Sequence, residues 1–170
     1  MYQNKDHTNQ RHIVIKSNNI DISNLKKVSE ITKKISNLIH KGDNLLLYGD
    51  LGVGKTTFTK SIINYLQLKN NIETTEILSP TFNILNEYQI NDLNVKHFDM
   101  YRINKEEELN NLGLFEEKDI INIIEWPEIL KSYKIKSIKF HFFYSQNYEK
   151  RNLIISSNYK NKIIDEFKEH

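Results

Sequence analysis

The chain has 170 residues, 38% hydrophobic and 27% charged, which is the composition of one folded domain rather than of a disordered chain. It has no cysteine, which excludes disulfides, thiolate metal sites and cysteine nucleophiles. Its 24 basic and 22 acidic residues leave a net charge of +2, too even to argue for direct nucleic-acid binding on electrostatics alone. No apolar run approaches the roughly 20 residues of a membrane span, and the polar stretch Met1–His12 lacks the apolar segment of a secretory leader. A cytoplasmic protein with no membrane partner is expected. Residues 1–170 are read as a single domain, with 1–10 a flexible N-terminus.

Alanine is absent, and glycine and proline are scarce. Of the five glycines (Gly42, Gly49, Gly52, Gly54, Gly113), four fall within positions 42–54. In such a chain, the places that keep glycine or proline need its backbone geometry. In chain order, Arg11–Lys16 reads as a short strand. Ser23–His40 has apolar residues at helical spacing and ends at Gly42. Asn44–Tyr48 is a continuous apolar run of the buried-strand kind. Gly49–Gly54 forms a turn, Lys55–Leu66 a helix and Asn70–Thr75 a polar loop. Phe82–Ile90 and Val95–Tyr101 read as a hairpin joined by Asn91–Asn94. Asn104–Leu112 reads as a helix capped by Asn104 with Glu107 and stopped at Gly113. Ile120–Ile124 is a second buried-type strand, and Pro127–Tyr133 a short helix with proline in its first turn. Ile135–Tyr144 and Arg151–Ser157 are late strands that pair antiparallel at an edge, and Tyr159–Phe167 is a terminal helix. The alternation predicts an α/β fold: a three-layer P-loop NTPase arrangement, mainly parallel with antiparallel edge strands.

Gly49-Asp50-Leu51-Gly52-Val53-Gly54-Lys55-Thr56 matches G-x-x-x-x-G-K-[ST]. It has the context that the motif requires, an apolar strand before it and a helix after it. Backbone N–H groups of such a loop converge on phosphate oxygens, and the helix N-terminus adds partial positive charge. Lys55 is placed to reach the β- and γ-phosphates, and Thr56 to offer its hydroxyl to Mg2+. A plain glycine turn explains neither the Lys-Thr pair nor the third glycine.

A P-loop also needs an acid at the end of a neighbouring buried strand. Glu125 closes the run Ile120–Ile124 and is assigned to Mg2+, directly or through water. Asp99, among Phe98, Met100 and Tyr101, is assigned to the attacking water or to a supporting bond with the metal. The two roles are exchangeable at this stage. The bland readings are a salt bridge to Arg102 or a turn cap for Asp99, and a helix N-terminal acid for Glu125. Thr81, in Ser79-Pro80-Thr81, reads either as a switch residue touching the γ-phosphate or as a strand-initiating turn. His97 reads as structural, with metal ligation as its rival. Trp126 faces nucleotide, partner or core.

Taken together, the segment Gly49–Phe58, Ser79-Pro80-Thr81-Phe82, His97-Phe98-Asp99-Met100-Tyr101-Arg102, Leu112-Gly113 and Glu125-Trp126-Pro127-Glu128 resembles the TsaE (YjeE) family of small bacterial P-loop ATPases. The resemblance covers about residues 43–128. It implies ATP bound by Gly49, Asp50, Leu51, Gly52, Val53, Gly54, Lys55, Thr56 and Thr57, with Mg2+ on Thr56 and Glu125, and hydrolysis supported by Asp99. It further implies a nucleotide contact from Arg151 and a base pocket near Ile22 and Ser23. Val53 departs from the alanine that the family often carries there. The resemblance also implies two partner proteins, TsaB and TsaD, which transfer a threonylcarbamoyl group to the adenosine beside the anticodon. The tRNA is then met only through that complex, which the ATPase resets. Three rivals stand beside this reading. A small P-loop kinase is disfavoured by the scarcity of arginine: only Arg11, Arg102 and Arg151. A GTPase lacks its N-K-x-D motif, and a non-hydrolysing binding module would release no phosphate.

Overall fold

The two apolar runs that read as buried strands lie side by side and parallel in the computed structural model, which describes residues 14–168. The strands are β1 (Ile15–Lys16), β2 (Ile20–Asp21), β3 (Asn44–Tyr48), β4 (Leu85–Ile90), β5 (Leu93–Asp99), β6 (Ile120–Glu125), β7 (Ile138–Tyr144) and β8 (Arg151–Ser157). The helices are α1 (Leu25–Leu38), α2 (Lys55–Lys69), α3 (Glu106–Leu109) and α4 (Asn161–Asp165). One sheet runs in the order β1-β8-β7-β3-β6-β5-β4, with β2 also on β8. Its centre, β7-β3-β6-β5, is parallel. Antiparallel pairing occurs at both edges, through β4 on one side and through β8 with β1 and β2 on the other. All six residues of β6 are buried, which is why Ile120–Ile124 is apolar but for Asn122 rather than alternating.

Helix α1 starts where Asn24 Oδ1 accepts the N–H of Lys27 at 2.9 Å. Val28, Ile31 and Ile35 share its buried face. They pack with Phe58, Ile62, Ile63 and Leu66 of α2 and Ile163 and Ile164 of α4 over one face of the sheet. Phe58 meets Phe142 edge-on, with ring centres 5.2 Å apart. Truncating fully buried Ile62 to Ala would cost about 2–5 kcal/mol. The opposite face carries a smaller core of Leu46, Phe98, Met100, Leu109, Ile124 and Leu130. Short pieces cover it: α3, the 3-10 turn Asn110–Leu112 and the 3-10 stretch Pro127–Ser132. The three layers are present, but one helical layer is thin.

Several boundaries differ from expectation for identifiable reasons. Of the strand expected over 11–16, Ile15–Lys16 is seen, and residues 11–13 lie outside the described residues, as do residues 1–10. Phe82–Ile84 are not strand: Ile84 has φ +67° and its N–H donates to Pro80 O at 2.6 Å, closing a turn before β4. The hairpin loop is only Asn91-Asp92, because Leu93 and Asn94 already pair with Ile90 and Gln89. The helix after Asn104 begins at Glu106. There the Lys105 N–H donates to Glu108 Oε1 at 3.1 Å, so the cap sits one residue later than Asn104 with Glu107 predicts. Helix α1 ends at Leu38, and Gly42 belongs to the following turn rather than to its C-cap. The terminal helix is shorter than 159–167, and β2 carried too little pattern to be read.

Candidate active site

Three parallel strands bring their carboxyl ends to one row. Leu47 of β3 pairs with Glu125 of β6, and Glu125 pairs with Asp99 of β5. The P-loop leaves β3 directly after that row, at the carboxyl edge where open α/β sheets bind ligands. Gly49 has φ +139°, and a Cβ there would lie 2.5 Å from Phe142 O, so the loop passes β7 too closely for any side chain. Gly54, at φ +115°, turns the chain into α2, whose first backbone bond is Phe58 N–H to Gly54 O at 2.9 Å. The remaining N–H groups of this first turn are free to meet an anion.

Lys55 is only 4% exposed. Its Nζ donates to Gly49 O at 2.5 Å and Asp50 O at 2.9 Å, and lies 3.7 Å from the centre of the Trp126 ring. Burial pushes its pKa below the ordinary lysine value, while the charges of Glu125, Glu128, Asp99 and Asp50 pull it back up. Trp126 takes φ +56° at the end of β6, with its N–H on Leu47 O at 3.2 Å. Tyr101 packs against its ring with centres 4.9 Å apart. Trp126 therefore faces the P-loop lysine.

The two acids are held from opposite walls. Glu125, 2% exposed, accepts from Thr56 Oγ1 on Oε2 at 2.8 Å and faces His97 Nε2 with Oε1 at 2.8 Å. Asp99, 4% exposed, accepts from Thr81 Oγ1 at 2.7 Å and from the Tyr101 N–H at 3.0 Å. Ser79 Oγ lies 2.8 Å from Thr81 Oγ1. Asp99 is bound by Thr81 and Tyr101 rather than by Arg102, which stacks on Phe82, 4.6 Å from the ring centre. His97 does not line the cleft, so a ligand role towards a metal there is not supported.

The resulting cleft, about 290 Å³, is lined by Leu51, Gly52, Gly54, Lys55, Thr56 and Thr57 on one side. Ser79, Thr81, Asp99, Tyr101, Glu125 and Trp126 close the other. Arg151 stands apart. It lines a smaller pocket of about 100 Å³ behind the loop with Ile22, Ser23, Val53, Gly54 and Thr57, where its guanidinium lies 5.9 Å from the Tyr144 ring centre. The two pockets share Gly54 and Thr57 in their linings. Among the described residues no group of three or more His, Cys, Asp or Glu could hold a metal alone. A hydroxyl and a carboxylate beside a phosphate cradle suit Mg2+, which uses one or two carboxylates and completes its shell with phosphate oxygens and water.

The family model for Threonylcarbamoyl adenosine biosynthesis protein TsaE matches residues 22–153. The chain belongs to the TsaE family. The tRNA threonylcarbamoyladenosine biosynthesis protein TsaE of Rickettsia typhi is 43% identical over 108 residues, covering 62% of this chain and 72% of that protein. Its counterpart in Bacillus subtilis is 36% identical over 110 residues, covering 64% and 65%. The crystal structure of YdiB from Bacillus subtilis superposes with a TM-score of 0.69 at 24% identity, over 92% of this chain and 96% of that one. That likeness shows the fold, in which this chain's P-loop and its two acids share one sheet edge. As a TsaE protein the chain is a nucleotide-binding P-loop protein. No helix among the described residues is long and apolar enough to cross a membrane.

Sequence reasoning missed the bond from His97 to Glu125 and the stacking of Trp126 over Lys55. One signal was available for the first. His97 precedes Asp99 by two positions, so both project from the same face of β5.

Proposed function

We propose that this TsaE chain is a single-domain, Mg2+-dependent ATPase. It supports threonylcarbamoyl modification of the adenosine beside the anticodon, working in the cytoplasm with the TsaB–TsaD pair and meeting tRNA through that pair. The observation that carries the reading is the Thr56–Glu125 bond at the mouth of the P-loop, since the two groups needed for a cation shell already face each other. The loop from Gly49 to Thr57 cradles the phosphates, and Lys55 leaves its two carbonyls to meet the β- and γ-oxygens. Mg2+, when bound, neutralises charge developing on those oxygens. Thr56 and Glu125 hold it. Asp99, kept in place by Thr81 and the Tyr101 N–H, orients the attacking water and accepts its proton. The small pocket beside Ile22, Ser23 and Arg151 receives the base.

Turnover by the chain alone is slow. None of the cleft-lining residues is an arginine; Arg102 is engaged with Phe82 and Arg151 lines the neighbouring pocket. A missing arginine removes a large part of transition-state stabilisation in P-loop enzymes, so a partner supplies or positions the balance. The rim of the cleft suits a protein partner: Leu51 is 76% exposed and Tyr101 55%, and Phe82, next in the chain to cleft-lining Thr81, is 79% exposed. The test is ATP hydrolysis by the purified chain, alone and with TsaB, TsaD and tRNA. Slow hydrolysis that rises with the pair is expected. Equal rates in both settings would remove the partners from the reading.

A further inference from the structure

We propose that His97 is a positioning residue for the cation site. It holds Glu125 Oε1 so that Oε2 alone is presented to Thr56 and the cleft. The ring is 0% exposed, and its Nε2 lies 2.8 Å from Glu125 Oε1. A carboxylate only accepts, so the ring proton is assigned to Nε2. Glu125 Oε2 is left at 2.8 Å from Thr56 Oγ1. The strand register explains how this contact arises. His97 pairs with Ile123 and Asp99 with Glu125, so the imidazole reaches two residues along the neighbouring strand, to the next side chain on the same sheet face.

The other ring nitrogen sharpens the inference. Nδ1 is buried and has no hydrogen-bond partner among the described residues. Buried polar atoms are nearly always partnered, and an orphan costs stability. An apolar residue of similar size would fill this place without leaving one. The bond that the ring does make is to the carboxylate that meets Thr56. Without it, Glu125 keeps only the Thr56 bond, and its carboxylate plane gains freedom to tilt about its last bond. A cation must then pay that rotational freedom on binding. Partners that orient a ligand in this way change metal affinity by roughly 10- to 100-fold when removed.

The inference rests on the proposed cation role of Thr56 and Glu125, and the experiment separates the two. Trp126 is the only tryptophan and lies 3.7 Å from Lys55 Nζ, so its fluorescence reports on the cleft. Mg2+ is titrated into the full chain at saturating ADP, with ADP affinity in EDTA and thermal melting measured in parallel. H97L should raise the Mg2+ concentration at half-change by roughly tenfold or more, with ADP affinity in EDTA within about twofold of wild type. H97Q places an amide N–H at the same number of bonds from the backbone and should return the midpoint to within about threefold. H97N, one bond short, should behave as H97L. If H97L does not fold, H97N is compared with H97Q in its place. A wild-type midpoint in a folded H97L or H97N variant overturns the proposal. So does a folded H97Q no better than H97L, or loss of the fold in both H97L and H97N, which would make the ring structural. If E125Q and T56A also leave the midpoint unmoved, the cation assignment itself has failed.

Discussion

Thr56 Oγ1 and Glu125 Oε2 meet at 2.8 Å, tying the first turn of α2 to the end of β6, while Asp99 is bound separately by Thr81 on the facing wall. The two carboxylates thus have different neighbours, and neutral isosteres should separate their roles. Glu125→Gln should raise the Mg2+ requirement of hydrolysis by roughly tenfold or more and leave metal-free ADP binding nearly unchanged. Asp99→Asn should lower kcat by about 100-fold or more with little change in the Mg2+ midpoint. Steady-state Mg2+ titrations of both variants read this directly. A metal phenotype in Asp99→Asn alone would exchange the two assignments.

Lys55 has no carboxylate partner within salt-bridge distance among the described residues; two loop carbonyls and an aromatic face hold it in place. A buried cation so held is ready to be given to an anion, and phosphate oxygens offer a stronger bond than carbonyls do. Lys55→Ala should weaken ATP binding by about 2–4 kcal/mol, roughly 30- to 1000-fold. Calorimetric titration with ATP checks it. Unchanged affinity would remove the lysine from the phosphate site.

How much of this was legible in the chain depends on how local each signal is. The P-loop is one unbroken segment between an apolar strand and a helix, and Glu125 ends an apolar run on its own strand, so both could be read without knowing any neighbour. Trp126 over Lys55 depends on a positive φ in a non-glycine residue, which no local pattern announces. The partner of His97 depends on the register between β5 and β6, a long-range fact. The Ile84 turn escapes the apolar pattern because its N–H bonds back to Pro80, and α3 starts later than Asn104 with Glu107 predicts because Lys105 and Glu108 make the cap instead.

The P-loop glycines differ in what they protect. At Gly49 both φ +139° and the 2.5 Å approach of Phe142 O oppose a side chain, whereas at Gly54 nothing lies within 4 Å of an added Cβ and only φ +115° opposes one. Gly49→Ala should therefore cost about 3 kcal/mol or more and lower Tm by roughly 6–12 °C. Gly54→Ala should cost about 1–2 kcal/mol, roughly 2–8 °C. Thermal melts of the two variants test the order. A Gly54→Ala protein melting below Gly49→Ala would contradict the close approach of β7 to the loop.

Asp21 links the short strand β2 to α1 by accepting from Lys27 Nζ at 2.5 Å, Ser23 Oγ at 2.6 Å and the Ser23 N–H at 2.9 Å. The lysine bond, then the two serine bonds, hold its carboxyl well below the ordinary value of 3.8. A depressed folded-state pKa means that the charged form stabilises the fold. That contribution is complete above the unfolded-state value and is lost as pH falls through the folded one. Asp21→Asn should therefore melt below wild type at about pH 7, with the gap closing steadily once the pH drops below roughly 4. The pair is partly solvent-exposed, so added salt should shrink the gap at neutral pH as well. Melting curves across pH for both proteins measure it. A gap of equal size at about pH 2 and about pH 7 would show that the side chain acts through shape rather than charge.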